Sequence, residues 1–254
     1  MRENGNRCSA ALNSGYAPQY SVINGHKVKY VSFGSGEDIV FLHGWGASIS
    51  AFLFVAKTIS SKFRVTLLDF AGFGESEEPD KTYTVADYAA DVIALTRLIG
   101  IEKAVFVGHS FGGRVCLELA SNYPELVYKL VLVDSAGLKP RRGLKYYIKI
   151  GVHKLLRKLG LKGLKGSADF RVLSSTMRET FKKVVNYDQT SLLGNIKCPT
   201  AIFWGDGDRD TPAYMARRLN KNIADSSIFW LNGGHFAYAE DSGKFISILK
   251  AFIA

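Results

Sequence analysis

The chain has 254 residues, a length that allows one large domain with a sizeable core and leaves little room for a second. Its 47% hydrophobic and 22% charged content is that of an ordinary globular protein, and no uninterrupted apolar run approaches the roughly 18 residues that span a bilayer. The three cysteines have no metal-type spacing, which argues against a disulfide framework and for a reducing compartment, whereas the net charge of +10 needs an explanation.

In chain order, short β-branched runs alternate with longer helical patterns. Residues 1–19 are polar and lack the apolar centre of a signal peptide, so we expect a disordered lead-in and a cytoplasmic protein. Strands are predicted at 28–33, 39–42, 65–68, 104–107, 129–133, 200–204 and 227–231, and helices at 47–60, 83–99, 110–122, 212–220 and 242–253. Apolar strands that alternate with helices predict an α/β fold with a mostly parallel sheet, flanked by helices on both faces.

The segment 137–190 interrupts this alternation, because it offers helical patterns but no strand. It falls between two predicted strands of the sheet. We therefore expect a helical lid over the carboxyl ends of the strands, where open α/β sheets bind ligands, on a core formed by 20–136 and 191–254.

The excess positive charge is concentrated in this predicted lid. Between Lys139 and Lys165 there are ten Lys and Arg residues and no acidic one, which equals the net charge of the whole chain. Three interpretations are open: a solvated cationic face, contact with an anionic membrane surface, or attraction of anionic substrates. Nucleic-acid binding is not expected, since few aromatics interleave with the charges and no nucleic-acid-binding fold is indicated.

The most specific motif is Gly-His-Ser-Phe-Gly-Gly at 108–113, which follows a predicted strand and precedes a predicted helix. A serine in such a sharp turn has a strained backbone, and neighbouring glycines remove side chains that would clash there. The Ser110 hydroxyl would stand at a helix N-terminus, where unpaired N–H groups stabilise negative charge. The alternative is a plain glycine-rich turn, but this context favours a nucleophile.

Two later loops offer the partners that a serine nucleophile needs. The loop after the strand at 200–204 carries three aspartates, and an acid there could orient a histidine, although spacing does not choose among Asp206, Asp208 and Asp210. His235 follows two glycines on a loop after the last predicted strand, which leaves it free to point into a cleft. The other four histidines have poorer contexts: His26, His43, His109 and His153.

From about residue 20 to 254 the chain resembles the α/β-hydrolase superfamily, in the group of lidded serine esterases, meta-cleavage product hydrolases and proline iminopeptidase-like enzymes. Five motifs carry the resemblance: His-Gly-Trp-Gly at 43–46, Asp-Phe-Ala-Gly-Phe-Gly-Glu-Ser at 69–76, the serine motif at 108–113, Trp-Gly-x-x-Asp-x-x-x-Pro at 204–212 and Gly-His at 234–235.

The resemblance implies a role for each site residue. The family's chain order is nucleophile, acid, histidine, which fits Ser110, Asp208 and His235. Asp208 is selected because the family's acid lies three residues after the glycine of its motif; Asp134, where some lipases carry their acid, is a lesser alternative. The oxyanion hole would take its N–H groups from Trp45 and Phe111.

The same resemblance narrows the chemistry without fixing the substrate, since one fold hosts many reactions. Ser110 replaces the aspartate nucleophile of haloalkane dehalogenases and epoxide hydrolases. The run after His235 lacks the Trp usual in meta-cleavage product hydrolases, and His-Gly-Trp-Gly differs from the His-Gly-Gly-Pro-Gly loop of proline iminopeptidases.

We therefore expect an enzyme that cleaves a carboxylic ester, or a related acyl bond, of a small or medium substrate through an acyl-enzyme, without metal or organic cofactor. Two alternatives stay open. One is a carbon–carbon bond hydrolase or aminopeptidase of the same fold. The other is a non-catalytic or signalling protein that binds a small ligand or a partner. The sequence leaves the oligomeric state open.

Overall fold

The computed structural model describes residues 16–139 and 173–254. Residues 1–15 of the predicted lead-in (1–19) and residues 140–172 of the predicted lid (137–190) lie outside this part of the chain. They include nine of the ten basic residues counted between Lys139 and Lys165. Within it, one eight-stranded sheet contains β1 (Gln19–Ile23), β2 (His26–Phe33), β3 (Glu37–Leu42), β4 (Phe63–Leu68), β5 (Ala104–His109), β6 (Val127–Val133), β7 (Thr200–Gly205) and β8 (Ser226–Leu231).

The strands lie in the spatial order β1-β2-β4-β3-β5-β6-β7-β8. All pairs from β4 to β8 are parallel, whereas β1–β2 and β2–β4 are antiparallel, which confirms a mostly parallel α/β sheet. β1 was not predicted, because at this edge of the sheet only Ile23 of its five residues is buried. A tight turn at Asn24 and Gly25, both with positive φ, joins it to β2.

Seven helices accompany the sheet in the described ranges. They are α1 (Leu53–Ile59), α2 (Val85–Leu98), α3 (Phe111–Asn122), α4 (Ser175–Asn186), α5 (Tyr214–Asn222), α6 (Ala237–Glu240) and α7 (Ser242–Ile253). None of them is long and apolar enough to cross a membrane.

The predicted helix at 47–60 is wrong in its first half. A 3₁₀ turn, Ile49–Ala51, precedes α1 there. The Ile49 N–H donates to Asp69 Oδ1 at 2.7 Å, and the Ser48 hydroxyl accepts from Ser50 N. Because side chains take these N–H groups, the segment bends before the regular helix begins.

Alternate residues of each central strand supply two cores, one on each face of the sheet. Val40 and Leu42 of β3 pack with α2 and α3, whereas Ile39 and Phe41 pack with α1 and α7. Burial of one such side chain stabilises a fold by about 1.5–3 kcal/mol. The sheet is therefore a rigid platform, and the loops at the carboxyl ends of β5, β6, β7 and β8 lie side by side on it.

The chain leaves and re-enters this core at neighbouring points near the predicted lid boundaries. The Gln189 N–H donates to the Gly137 carbonyl at 2.9 Å, and its side-chain amide donates to the Arg114 carbonyl of α3 at 2.9 Å. α4 buries Met177 and Val184 in the core beside α2 and α3. The described end of the insertion is thus anchored to α3, the helix that follows Ser110.

Candidate active site

Ser110 occupies a strained turn between β5 and α3. Its φ of 50° and ψ of −107° lie outside the regions that non-glycine residues favour, a cost of order 1–3 kcal/mol. The turn is held from β6, because the Ser110 N–H donates to the Val133 carbonyl and the Ser110 carbonyl accepts from Ala136 N, each at 3.0 Å. The backbone is therefore fixed with the hydroxyl at the start of α3.

The glycines of this motif are required by close packing. A Cβ at Gly108 would lie 2.6 Å from Cys116 Sγ, one at Gly112 would collide with the Leu42 carbonyl, and one at Gly113 with the Ser135 side chain. Because backbone cannot yield as a flexible side chain does, any larger residue at Gly112 would push α3 away from β3. These contacts explain why glycine occupies all three positions.

The structure brings together the three side chains that the sequence proposed from distant loops. His235 Nε2 lies 2.9 Å from Ser110 Oγ, and His235 Nδ1 lies 2.9 Å from Asp208 Oδ2. An ionised carboxylate only accepts hydrogen bonds, so Nδ1 carries the proton and Nε2 offers a lone pair to the serine hydroxyl. The Asp208 side chain is fully buried and that of His235 is 15% exposed.

This pairing sets the charge of both partners. Burial alone would lower the pKa of His235, but the hydrogen bond and the negative charge of Asp208 outweigh it and raise the pKa above its ordinary value. Burial alone would raise the pKa of Asp208, but its bonds from His235 and Thr211 outweigh that and lower the pKa. Asp208 is therefore ionised, and a proton gained by His235 is stabilised.

Burial separates the three candidate aspartates, which sequence spacing could not. Asp208 is 6% exposed, whereas Asp206 and Asp210 are exposed. Asp208 Oδ1 accepts from the N–H groups of Asp210 at 2.8 Å and Thr211 at 3.0 Å, and Oδ2 accepts from the Thr211 hydroxyl at 2.6 Å. Hydrogen-bond donors of the same loop thus fix the orientation of both carboxylate oxygens of Asp208.

Asp134 directly follows β6 and lies close to this group, but its protonation state differs. It is fully buried with a φ of 43°, and its Oδ1 accepts from Gly205 N at 2.7 Å. Burial raises its pKa to about 8, so it is a neutral acid at pH 7. Within the described ranges it makes no hydrogen bond to His235, and a neutral carboxyl group is a poor partner for an imidazolium ion. The geometry therefore favours Asp208 over Asp134.

Two other histidines near the site hold the loops in place. His43 donates from Nδ1 to the Gly44 carbonyl at 2.7 Å and accepts at Nε2 from Phe70 N at 3.0 Å, and burial lowers its pKa to about 4. His109 donates from Nε2 to the His235 carbonyl at 2.7 Å, and burial lowers its pKa to about 3. Both rings are neutral, and His109 supports the backbone of His235 from beneath.

The predicted oxyanion-hole residues lie on adjoining elements. The rings of Trp45 and Phe111 are 5.3 Å apart, and a Cβ at Gly44 would lie 3.5 Å from Ser110 Cβ, so the loop at 43–46 rests against the serine turn. In the described part of the chain neither backbone N–H, of Trp45 or of Phe111, donates a hydrogen bond. Both donors are therefore available to an oxygen bound beside Ser110.

One group of side chains could in principle hold a metal ion. Ligand atoms of Asp208, Asp210 and His235 all lie within 4.8 Å of one another. However, Asp208 Oδ2 already accepts bonds from His235 and Thr211, and a cation there would displace both. The donor set fits a hydrogen-bonded relay better than a metal site.

Sequence reasoning overlooked Thr211. It lies in the motif at 204–212, which assigns it no role, yet its N–H and its hydroxyl both bind Asp208. The signal available was the spacing: a hydroxyl residue three positions after a loop aspartate can reach back to the carboxylate.

Known proteins share this architecture. A model of the α/β-hydrolase fold family matches residues 39–157. The AB hydrolase superfamily protein YisY of Bacillus subtilis is 27% identical over 247 residues, which cover 86% of this chain and 92% of YisY. A solved esterase from Exiguobacterium antarcticum has a TM-score of 0.77 at 22% identity, over 93% of this chain and 99% of the esterase.

A second solved structure agrees. The enol-lactonase from Burkholderia xenovorans LB400 has a TM-score of 0.75 at 22% identity, over 92% of this chain and 99% of the lactonase. At these identities the structures show the shared fold. With the family-model match over residues 39–157 and the serine turn between β5 and α3, they lead to one conclusion: the chain has the α/β-hydrolase fold.

Proposed function

We propose that the protein is a serine hydrolase that cleaves a carboxylic ester, or a related acyl bond, of a small or medium substrate. One observation carries the proposal: Ser110 Oγ, His235 and Asp208 form a continuous relay with both bonds at 2.9 Å. A nucleophile, a base and an acid that orients the base are the parts that acyl transfer needs.

The first step forms the acyl-enzyme. His235 Nε2 takes the hydroxyl proton while Ser110 Oγ attacks the carbonyl carbon, and the buried charge of Asp208 stabilises the imidazolium ion. The proton on Nε2 then passes to the leaving alcohol as the acyl–oxygen bond breaks. The strained turn keeps Oγ in position throughout, so little reorganisation accompanies the attack.

The attack on the carbonyl carbon places negative charge on the substrate oxygen, which hydrogen-bond donors must stabilise. The N–H groups of Trp45 and Phe111, which have no partner in the described residues, would bind it, and Phe111 adds the first turn of α3. Removal of one such donor typically costs about 2.7–4 kcal/mol in an acyl-transfer enzyme.

The second step hydrolyses the acyl-enzyme and regenerates the free enzyme. Water takes the place of the alcohol, His235 removes its proton, and the attack on the acyl carbon releases the acid and restores the Ser110 hydroxyl. Every proton moves through Nε2, so no group outside the relay is needed to balance the reaction.

An acyl–oxygen bond is favoured over other acyl bonds by the structural neighbours. One is an esterase and another an enol-lactonase, and both substrate classes are split at a carbonyl carbon with an oxygen leaving group. Their resemblance extends over more than nine-tenths of this chain.

Hydrolysis of a substrate panel tests the proposal. The panel contains p-nitrophenyl acetate and butyrate, lactones, a thioester and an amide, with Ser110→Ala as the inactive variant and Ser61→Ala, an exposed serine away from the site, as the matched control. Turnover of an oxygen ester that falls by several orders of magnitude in Ser110→Ala alone supports the proposal. Equal turnover by wild type and Ser110→Ala overturns it, and so does wild-type inactivity on every ester and lactone, which favours a binding role.

A further inference from the structure

One buried hydroxyl touches all three loops that build the relay behind Ser110. Thr211 Oγ1 lies 2.6 Å from Asp208 Oδ2, 3.1 Å from the Asp134 carbonyl oxygen and 3.4 Å from His235 Nδ1. These atoms follow β7, β6 and β8, and Thr211 itself is 6% exposed. No other side chain in the described ranges contacts both Asp208 and His235 through a hydrogen-bonding atom in this way.

Two hydrogen bonds of its backbone hold Thr211 in this position. The indole N–H of Trp204, which is fully buried, donates to the Thr211 carbonyl at 2.7 Å. The Thr211 N–H donates to Asp208 Oδ1 at 3.0 Å. The backbone thus holds one carboxylate oxygen while the hydroxyl holds the other, and the carboxylate cannot rotate about its own axis without breaking a bond.

We propose that Thr211 is a positioning residue, whose hydroxyl fixes the carboxylate plane of Asp208 and so keeps His235 in the tautomer and orientation that serve Ser110. This rests on the proposed function, since a positioning role has meaning only if Ser110 and His235 react. The hydroxyl makes no hydrogen bond to Ser110 in the described ranges, and its shortest bond is the one to Asp208 Oδ2, so it acts on the serine through Asp208 and His235.

The Thr211 hydroxyl and the His235 imidazole both donate hydrogen bonds to Asp208 Oδ2, so both stabilise its negative charge. Other groups that face His235 are Asp134 from β6, Asp210 from the loop after β7 and the neutral His109 ring from β5, whose centroid lies 5.0 Å from that of His235. Asp134 lies close enough to Asp208 for the two carboxyl groups to interact, whereas the side chains of Asp210 and His109 make no bond to Asp208 in the described ranges. Removing the hydroxyl therefore concentrates the carboxylate charge on His235 and leaves a buried oxygen short of a donor.

The variants Thr211→Val and Thr211→Ser separate the hydroxyl from the methyl group. Thr211→Val keeps the shape and loses the donor; we expect kcat for the best ester to fall about 10-fold to 100-fold, as for a bond to a charged group, with KM little changed. The acidic limb of the kcat/KM profile moves to higher pH, because the imidazolium ion is held more strongly. Thr211→Ser keeps the hydroxyl donor. We expect its kcat to stay within about threefold of wild type and the acidic limb of its kcat/KM profile to lie at the wild-type pH.

A second readout shows whether Thr211 acts through Asp208. In an Asp208→Asn background the hydroxyl has no carboxylate to orient, so Thr211→Val lowers kcat no further. Thermal unfolding of each variant accompanies the kinetics, and Thr211→Ala takes the place of Thr211→Val in the whole comparison if the valine variant does not fold.

The outcomes separate the two proposals. Wild type that turns over no ester overturns the proposed function. An active wild type with Thr211→Val unchanged in kcat and pH limb overturns the role of Thr211 alone. Equal losses in Thr211→Val and Thr211→Ser, or a full further loss in the Asp208→Asn background, also overturn it, because the effect then comes from packing.

Discussion

Replacement of Asp208 by asparagine tests how this loop directs the relay. Asp208 Oδ1 accepts two backbone N–H bonds, from Asp210 and Thr211, and only an oxygen can occupy that position. The amide oxygen of asparagine is therefore held there, and its NH₂ group is turned toward His235 Nδ1. That nitrogen must then accept, so the ring proton moves to Nε2, and the imidazole can no longer take a proton from Ser110.

The size of the effect follows from the reversed tautomer. Loss of one hydrogen bond to a charged group costs about 1.5–3 kcal/mol, or roughly 10-fold to 100-fold in rate. A wrong tautomer disables the base and lowers kcat about 10⁴-fold in a serine triad, which corresponds to roughly 5.5 kcal/mol. We expect the larger value for Asp208→Asn, with the fold unchanged because the side chain keeps its shape.

The assay is kcat for p-nitrophenyl acetate or the best ester of the panel, with circular dichroism to show that the fold is retained. Asp210→Asn is the matched control, since it lies on the same loop but is exposed and is expected to stay within about threefold of wild type. A loss of only 10-fold to 100-fold in Asp208→Asn would mean that the amide oxygen faces His235, and the reasoning from the two backbone donors would then be refuted.

Three further predictions use pH and packing. His235 must be neutral to act as a base, so kcat/KM should fall at acidic pH as His235 becomes protonated. We expect the midpoint of this fall above pH 6.5, because the effect of Asp208 on the pKa of His235 is larger than the opposite effect of burial. A midpoint below pH 6 contradicts this. Asp134 has a pKa of about 8 in the folded protein and an ordinary value of 3.8. Between these two pH values the folded protein binds a proton that the unfolded chain does not, so the free energy of unfolding falls as pH rises, by up to about 1.4 kcal/mol per pH unit. Urea unfolding at pH 5, 6 and 7 should show a flatter dependence in Asp134→Asn, and an unchanged slope contradicts the buried neutral acid. Gly112→Ala is expected to cost about 1–3 kcal/mol in thermal unfolding through its collision with the Leu42 carbonyl, whereas Gly194→Ala, with open space around it, should not; equal effects contradict the packing argument.

Much of this site could be predicted from local sequence. The strand, glycine and helix context around Ser110 is contiguous, and His235 follows glycines on a loop, so both patterns are visible within a few residues. The parallel part of the sheet was equally visible, because its strands are continuous apolar runs.

What the sequence could not supply depends on burial and on contacts between distant loops. Asp206, Asp208 and Asp210 have the same chemistry and spacing of two, and only the fold shows that the middle one is buried under His235. Thr211 looks like an ordinary loop residue, since its partners come from three different strand ends. β1 escaped prediction because an edge strand that buries a single residue has almost no periodic signal.

Labelling with a fluorophosphonate probe, followed by peptide mass spectrometry, tests the central claim most directly. The probe reacts with a serine only when a neighbouring base removes its proton and nearby donors stabilise the phosphonyl oxygen, so it reports the relay without the choice of a substrate. We predict one adduct per chain, on Ser110, that is absent in Ser110→Ala and forms far more slowly in His235→Ala. An unlabelled protein, or an adduct that persists in Ser110→Ala, would contradict the account.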